Sequence, residues 1–300
     1  MNRRWMFALS LCTASATLAA QDLPPGTFAT SAAVSAITQF DTDLDNNGGS
    51  FRWTGGIATV SVLYQVNKQL AAGLALQYDF QQWHFSNPTG LGGLAPWRDI
   101  NQPQVGANLI YTPTDDLTIM VSPSVAWGYE TGASTGDSLT YGAVVVVSKD
   151  FSPTLSIGLG AAIYREIFRT RTYPFLAIEW QIDDHWKLAN PFQAGPTGGA
   201  GLELSYAFDN GWQAGVGATY REFVFRLKQD GPVPNGIGEQ NYIPVFLRLS
   251  RTIGKQAQID FYAAALANGS LKVKNPDGND RYSDDYQVAP ALGMSFRYRF

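Results

Sequence analysis

The chain has 300 residues, of which 45% are hydrophobic and 13% aromatic, and its formal net charge is −4 at pH 7. This negative balance argues against nucleic acid or an anionic membrane surface as a binding partner. The single Cys, Cys12, lies in the N-terminal segment, so the remainder of the chain offers neither disulfides nor thiolate metal sites.

The first 20 residues have the pattern of a secretory signal peptide. Arg3 and Arg4 are followed by the apolar stretch 5–13, and small residues surround Ala19 and Ala20. A positive, then an apolar, then a small-residue region is typical of a cleaved export signal. We therefore expect residues 1–20 to be removed and residues 21–300 to form one domain. No later stretch is apolar for long enough to predict a transmembrane helix.

The rest of the sequence alternates between apolar and polar or small residues in short segments. In the clearest segment, Leu74, Leu76 and Tyr78 alternate with Ala75 and Gln77. A period of two residues indicates a β-strand with one apolar face, and in a membrane barrel lipid covers that face. We predict about 14 antiparallel strands, or 12 if a weak pair is merged or lost. They lie at 28–40, 51–65, 70–83, 102–111, 117–130, 139–148, 155–168, 172–182, 186–190, 199–208, 212–227, 242–251, 256–268 and 286–300.

The connectors alternate between short and long, which predicts how the barrel sits in the membrane. Tight polar turns such as 113–115 and 209–211 follow even-numbered strands, whereas long connectors such as 84–101 and 228–241 follow odd-numbered ones. Outer-membrane barrels have short periplasmic turns and longer external loops. We therefore predict that both termini are periplasmic. A soluble β-sandwich would explain the strands, but not the aromatic residues that recur where strands meet turns.

The last predicted strand carries a targeting pattern. Phe296, Tyr298 and Phe300 share one face, and Arg297 and Arg299 share the other. A closing strand that ends in an aromatic residue resembles the sorting signal read by the bacterial outer-membrane assembly machinery. We therefore predict a protein of the outer membrane of a Gram-negative bacterium, with that machinery, membrane lipid and lipopolysaccharide as its partners.

The polar faces of the later strands collect charged residues that we predict to line the lumen. Eight-stranded barrels pack their interior and barrels of 16–18 strands leave a channel, so a count near 14 falls between them. Unpaired buried charges are unfavourable. Facing rows of acids and bases therefore predict either a narrow selective pore or a network that stiffens the wall. The predicted lining residues are Glu179, Glu203, Arg221, Arg248, Asp260 and Arg297.

Candidates for metal binding or catalysis are weak. The acidic loop 41–47 does not fit a calcium-binding loop, because Asn46 and Arg52 occupy the positions that require Gly and Glu. Catalytic hydrolysis would need His84 or His185 beside a nucleophile and a third orienting group, and no such arrangement is evident. We therefore expect no cofactor, no metal site and no enzymatic activity.

Several segments of the C-terminal third resemble a family of uncharacterised bacterial outer-membrane β-barrel proteins. They are residues 220–227, the stretch 238–250, the loop 275–279 and the closing 289–293. The resemblance implies a membrane barrel and assigns no catalytic or binding residues.

Three functions follow from these patterns, in order of preference. The first is a passive pore for small polar solutes with a charged lumen. The second is a non-conducting barrel that acts structurally or binds lipopolysaccharide, a partner protein or a surface through its loops. An enzyme is third. The connector 84–101, with Trp97 and several glycines, is the segment most suited to fold into the lumen and occlude it.

Overall fold

The computed structural model describes residues 24–46 and 48–300, so the predicted signal peptide, residues 1–20, lies outside the described residues. Seventeen β-segments form one sheet in this part of the chain. They are β1 (Phe28–Asp43), β2 (Ser50–Gln65), β3 (Leu70–Ser86), β4 (Asp99–Thr114), β5 (Leu117–Trp127), β6 (Tyr129–Glu130), β7 (Leu139–Ser152), β8 (Leu155–Arg165), β9 (Thr170–Gln181), β10 (Trp186–Ala189), β11 (Gly201–Ala207), β12 (Trp212–Thr219), β13 (Arg221–Arg226), β14 (Ile237–Ile253), β15 (Ala257–Lys274), β16 (Asp280–Tyr286) and β17 (Ala289–Arg299).

The sheet closes on itself because β1 pairs antiparallel with both β2 and β17. Short interruptions divide three strands, namely β5/β6 at Gly128, β12/β13 at Tyr220 and β16/β17 at 287–288. With each divided strand counted once, the described residues form a closed barrel of 14 antiparallel strands. This confirms the predicted fold class and strand number. No helix in the described ranges is long and apolar enough to span a membrane.

The outer face of the wall is apolar, as the alternation predicts. Leu74, Leu159 and Leu247 are 58%, 73% and 61% exposed, and on the last strand Leu292, Met294 and Phe296 also point outward. Such a continuous apolar belt is unfavourable in water and is covered by lipid in a membrane barrel. The side chains at the intervening positions of each strand point into the barrel.

The two ends of the barrel differ. The end that carries Phe28 and Phe300, called the terminal end below, has tight connections such as 66–69 and 153–154. The opposite end, called the loop end, carries longer ones such as 87–98 and 227–236. The pattern of connector lengths therefore agrees with the sequence, and the periplasmic position of the termini stays a prediction.

The barrel narrows towards the loop end because β13 leaves the wall. The N–H of Arg226 donates to the carbonyl of Gly128 at 2.9 Å, and Arg226 pairs in parallel with Tyr129 of β6. On the far side, a bridge between Leu44 and Tyr286 joins β1 to β16. In the described residues this produces a loop-end ring of β1–β4, β6 and β13–β16, from which β7–β11 are excluded. A ring of about nine strands is close to the eight-stranded size whose interior side chains fill.

Strand boundaries differ from the prediction mainly at the loop end. Residues 237–241 and 269–274, predicted as loop, extend β14 and β15 because these strands continue into the loop-end ring. The predicted strand 155–168 ends at Arg165, and the predicted strand 212–227 breaks at Tyr220. The break at Tyr220 is where the wall strand turns inward.

Candidate functional site within the lumen

An apolar cap closes the lumen at the loop end. Trp97, which is 1% exposed, packs edge-on against Trp83 and Phe225 with ring centroids 5.5 and 5.1 Å apart. Further buried residues complete this cap, including Phe51, Trp53, Tyr242, Leu266, Leu271 and Tyr286. Leu91 and Trp97 come from the connector 87–98, so the expectation that this connector folds into the lumen is confirmed for these two residues. These buried side chains fill the interior of the barrel at the loop end.

A second connector crosses the middle of the lumen and was not predicted. After only four residues, β10 ends at Ala189, and residues 190–200, called the plug segment below, fold inward rather than beyond the wall. Ala194 is 1% exposed and packs with Phe246 and Tyr262. Pro196 reaches the opposite wall, where a Cβ added to Gly293 would lie 2.9 Å from its Cδ atom. The plug segment therefore spans the barrel from β10 to β17.

Arg221 holds the plug segment through its backbone. Its Nη1 donates to the carbonyl of Gly195 at 3.0 Å and to the carbonyl of Thr197 at 2.8 Å. The same guanidinium lies 3.6 Å from a carboxylate oxygen of Asp79 on β3. Both side chains are almost fully buried. Thr219 adds a further contact, because its hydroxyl accepts the N–H of Gly198 at 3.2 Å.

The side chain of Asn190 replaces backbone pairing where β10 stops. Its Nδ2 donates to the carbonyls of Leu176 on β9 and Gly201 on β11, at 3.0 and 2.8 Å. Its Oδ1 accepts the N–H of Ile178 at 2.8 Å. One amide side chain therefore links β9 to β11 and fixes the point at which the plug segment leaves the wall.

A polar vestibule occupies the terminal half of the lumen. It consists of two adjoining cavities of about 600 and 480 Å³. Both are lined by Phe192 and Arg297, and the Arg297 guanidinium lies over the Phe192 ring at 4.2 Å. Most other lining residues are hydroxyl, amide or charged side chains, including Thr59, Gln77, Asn108, Ser148, Glu179, Lys187, Gln193 and Gln258. The vestibule ends at the plug segment.

Three of the predicted lining residues form one buried network on the inner face. Arg248 Nε donates to Glu203 at 2.8 Å, and Arg248 Nη1 donates to Asp260 at 3.3 Å. Gln213 accepts from Nη2 at 2.8 Å, and Ser250 contacts both Arg248 and Asp260. This network saturates the Arg248 guanidinium and braces strands β11, β12, β14 and β15.

The other three predicted residues lie elsewhere in the lumen. Arg221 holds the plug segment. Glu179 lies in the vestibule and accepts a hydrogen bond from Lys187 at 2.6 Å. Arg297 lies between the two vestibule cavities, 3.6 Å from Asp260. Whether the six residues line a conducting pore stays a prediction.

A small side compartment lies behind β13, between its outward face and strands β4–β9. This cavity of about 80 Å³ is lined by polar groups of Gln104, Ser124, Tyr164 and Glu222. It adjoins a weak place in the wall, because residues 170–177 of β9 have no strand partner on the β10 side in the described chain. Charged side chains of the hairpin between β8 and β9 cover this place.

The hairpin between β8 and β9 closes the side compartment with a cluster of ion pairs. Arg169 donates to Glu166 and Glu222 at 2.7 and 3.0 Å. Arg171 donates to Glu222 at 2.8 Å, and Glu239 lies 3.2 Å from Arg169. The two Glu222 oxygens are therefore shared between both arginines, and Glu222 is only 3% exposed.

The candidates for metal binding and catalysis do not converge on any site. His84 is exposed on the outward side of β3, and His185 lies in a terminal-end turn, where its Nδ1 is 2.9 Å from the carbonyl of Ala207. Asp41 pairs with Arg52 at 3.3 Å. Across the described residues, no group of three or more His, Cys, Asp or Glu side chains is arranged to hold a metal ion.

Known structures resemble the chain in fold rather than in sequence. No protein-family model and no curated protein sequence matches it. The deltaS2 mutant of the monoaromatic hydrocarbon channel TodX aligns with a TM-score of 0.51 and 9% identity, over 98% of this chain and 96% of its own. The fold is that of an outer-membrane β-barrel. The barrel fold supports an outer-membrane location and agrees with the resemblance of the C-terminal third to outer-membrane barrel proteins.

Two further structures align over most of the chain at lower scores. The Pseudomonas putida toluene transporter TodX has a TM-score of 0.48 and 10% identity, over 97% of this chain and 95% of its own. The KdgM porin in complex with disordered oligogalacturonate has a TM-score of 0.38 and 10% identity, over 89% of this chain and 99% of its own. At such identities the likeness concerns the barrel architecture alone.

Proposed function

We propose that the protein is a gated outer-membrane channel for small polar solutes, with both termini in the periplasm. The observation that carries this proposal is the polar vestibule, which runs from the terminal end to mid-barrel and stops at the plug segment. A barrel that served only as a scaffold would have no need of a wide water-accessible cavity lined by hydroxyl, amide and charged groups. The plug segment is then the gate.

The composition of the plug segment suits a movable element. Apart from Phe192 it contains only small residues, proline, Asn190 and Gln193. Burial of a large apolar side chain stabilises by about 1.5–3 kcal/mol, and this segment has one such side chain. Hydrogen bonds from Arg221, Thr219 and Asn190 hold it instead. Neutral hydrogen bonds contribute roughly 1 kcal/mol each and those of the charged Arg221 about 1.5–3 kcal/mol, so polar contacts that water can replace hold the segment.

The route beyond the plug segment follows polar surface. The apolar cap is filled mainly by aromatic and aliphatic side chains, and moving a polar solute through it is unfavourable. The side compartment lies next to the plug segment and is lined by Gln104, Ser124 and Glu222. We propose that solutes pass from the vestibule into this compartment and leave where β9 lacks a strand partner.

A disulfide between the plug segment and the wall tests the gate. Pro196→Cys with Gly293→Cys places one thiol on the plug segment and one on β17 where the two adjoin, in a mature chain that has no other Cys. In a planar bilayer we expect the oxidised double variant to be silent and the reduced one to show wild-type conductance steps. Pro196→Cys alone is the matched control and should not respond to the redox state. Equal conductance of the oxidised and reduced double variant would refute the gate.

The apolar cap favours a second candidate, a non-conducting barrel that binds lipopolysaccharide or a partner protein through its loops. Permanent closure of the axis is what such a barrel requires. Silence of a demonstrably folded wild-type protein in the bilayer, at every applied voltage and in the presence of solutes, would favour this candidate. In either case we propose that the assembly machinery recognises Phe296, Tyr298 and Phe300, which lie on the outer face of β17.

A further inference from the structure

The arginines that point into the barrel differ in how well the protein satisfies them. Arg248 donates to Glu203, Gln213, Ser250 and Asp260. Arg221 donates to two carbonyls of the plug segment and lies beside Asp79. A guanidinium has five N–H donors in a planar fork, and these two guanidinium groups use theirs for the structure of the barrel.

Arg297 is different. Its side chain donates no hydrogen bond to any residue that the structure describes, and its buried Nε has no partner there. The nearest carboxylate, that of Asp260, lies 3.6 Å from Nη2, and its oxygens already accept from Ser295, Gln258 and Arg248. The guanidinium rests on the Phe192 ring at 4.2 Å and is 24% exposed. Stacking on Phe192 and the ion pair with Asp260 therefore hold the guanidinium in place, while its N–H groups donate no hydrogen bond within the described residues.

Of the two vestibule cavities that Arg297 lines, the smaller one is cationic and rich in hydrogen-bonding groups. Arg299, two residues further along the same face, and Lys255 also line the cavity of about 480 Å³, and no Asp or Glu side chain is among its described lining residues. The other lining groups include Thr59, Ser61, Asn108, Gln193 and Gln258. The volume lies within the range of about 300–1,000 Å³ that is usual for small-molecule sites.

We propose that this cavity binds a small carboxylate that also carries hydroxyl groups, with its carboxylate on Arg297. A carboxylate matches a guanidinium fork in a bidentate manner, with two charge-assisted hydrogen bonds. The amide and hydroxyl groups around it match the hydroxyls of a polyol. The inference rests on the proposed function in that it names the solute class of the vestibule.

Binding at Arg297 also acts on the gate. Phe192 is the third residue of the plug segment, and its ring is the surface on which the Arg297 guanidinium rests. A carboxylate that draws the Arg297 fork into the cavity removes this stacking contact of a cation over an aromatic ring. The solute therefore weakens the attachment of the segment that blocks its path.

Isothermal titration of the refolded, detergent-solubilised mature chain tests the site without requiring transport. The probes are sodium D-gluconate, neutral D-glucose of similar size, and inorganic phosphate. We expect gluconate to bind at least tenfold more tightly than either of the others. We expect Arg297→Gln to weaken gluconate binding at least tenfold and Arg297→Lys, which keeps the charge but loses the fork, to weaken it less. Arg52→Gln, on the exposed outer face at the loop end, is the matched control and should bind like the wild type.

The outcomes separate this inference from the channel itself. Equal binding of gluconate and glucose, tighter binding of phosphate, or unchanged gluconate binding by a folded Arg297→Gln variant would overturn the carboxylate site. The heat-dependent shift in gel mobility of a closed barrel checks that each variant is folded. If Arg297→Gln does not fold, the folded Arg297→Lys variant decides through its loss of affinity. Gluconate binding by a barrel that never conducts would leave the site intact and refute the gated channel alone.

Discussion

Replacing Arg221 is the sharpest test of how the plug segment is held. In Arg221, Nη1 binds the Gly195 and Thr197 carbonyls while Nη2 lies beside Asp79. Arg221→Lys keeps the positive charge, but its single ammonium nitrogen cannot occupy both positions. A hydrogen bond to a charged group contributes about 1.5–3 kcal/mol. Loss of one such bond therefore shifts the equilibrium between closed and displaced plug segment by at least about tenfold, since about 1.4 kcal/mol corresponds to a factor of ten.

Arg221→Ala should have a larger effect that is partly structural. It removes both carbonyl contacts and also leaves the buried Asp79 carboxylate without its cation, and breaking a buried pair costs about 3–5 kcal/mol. The double variant Arg221→Ala/Asp79→Asn removes this second contribution. We expect it to recover much of the unfolding free energy lost in Arg221→Ala while the plug segment remains loosened.

The assay is single-channel recording of open probability together with chemical unfolding of the same preparations. Arg221→Lys should raise the open probability roughly tenfold with little change in the unfolding midpoint. The double variant should raise it further. Wild-type open probability in both folded variants would refute the assignment of Arg221 as the residue that holds the gate, whatever their stability.

Four other changes test separate parts of the structure. Asn190→Leu removes the amide that links β9 to β11 and should lower the unfolding free energy by about 2–3 kcal/mol, as measured by denaturant titration. Trp97→Ala opens a cavity in the apolar cap and should destabilise by about 3–5 kcal/mol in the same titration. Leu74→Arg on the lipid face should reduce the folded yield in vesicles, because a cation at mid-membrane costs about 2–4 kcal/mol, whereas Gln82→Arg higher on the same strand should not. Deletion of Phe300 should lower the amount of protein in the outer membrane, measured by fractionation, if the closing strand is the sorting signal.

The architecture of the wall was predictable because the signal is local. Each strand places every second side chain in lipid, so the alternation of Leu74 and Leu76 with Ala75 and Gln77 reports its orientation without reference to any other strand. The last strand does the same through Phe296 and Phe300. Because this alternation recurs in each of the 14 strands, the sequence alone predicts the fold class and the strand number.

The plug segment was not predictable, because its position depends on contacts across the lumen. Residues 190–200 contain two prolines and three glycines, a composition typical of any surface connector. The sequence predicts the short strand at 186–190, but nothing in residues 190–200 indicates that they fold into the lumen or that their carbonyls meet Arg221. Asp79, the ion-pair partner of Arg221, lies on the opposite wall. The alternation along a strand predicts which side chains point inward, but not which of them contact one another across the lumen.

The sequence did contain one indirect sign of the irregular wall. Residues 158–166 and 215–222 form a partial repeat in which the alternation slips at an Arg-Glu pair, a sign of a bulge or of a strand that leaves the wall. In the structure, Glu166 ends one copy and Glu222 the other, and both accept hydrogen bonds from Arg169. The slip thus marks the two places whose side chains close the side compartment.

β10 ends after four residues and leaves a gap in the wall, and the side chains of Arg169, Arg171 and Glu222 lie at this gap. A sheet edge within a barrel wall leaves backbone groups unpaired, and such groups must be satisfied where water is absent. Where β10 stops, the Asn190 amide binds the backbone groups that β10 leaves unpaired. Closer to the loop end, ion pairs of Arg169 and Arg171 with Glu222 join the β8–β9 hairpin to β13 without backbone hydrogen bonds. Side-chain contacts can separate and re-form without unravelling the flanking strands, and this is what an opening in the wall of a folded barrel requires.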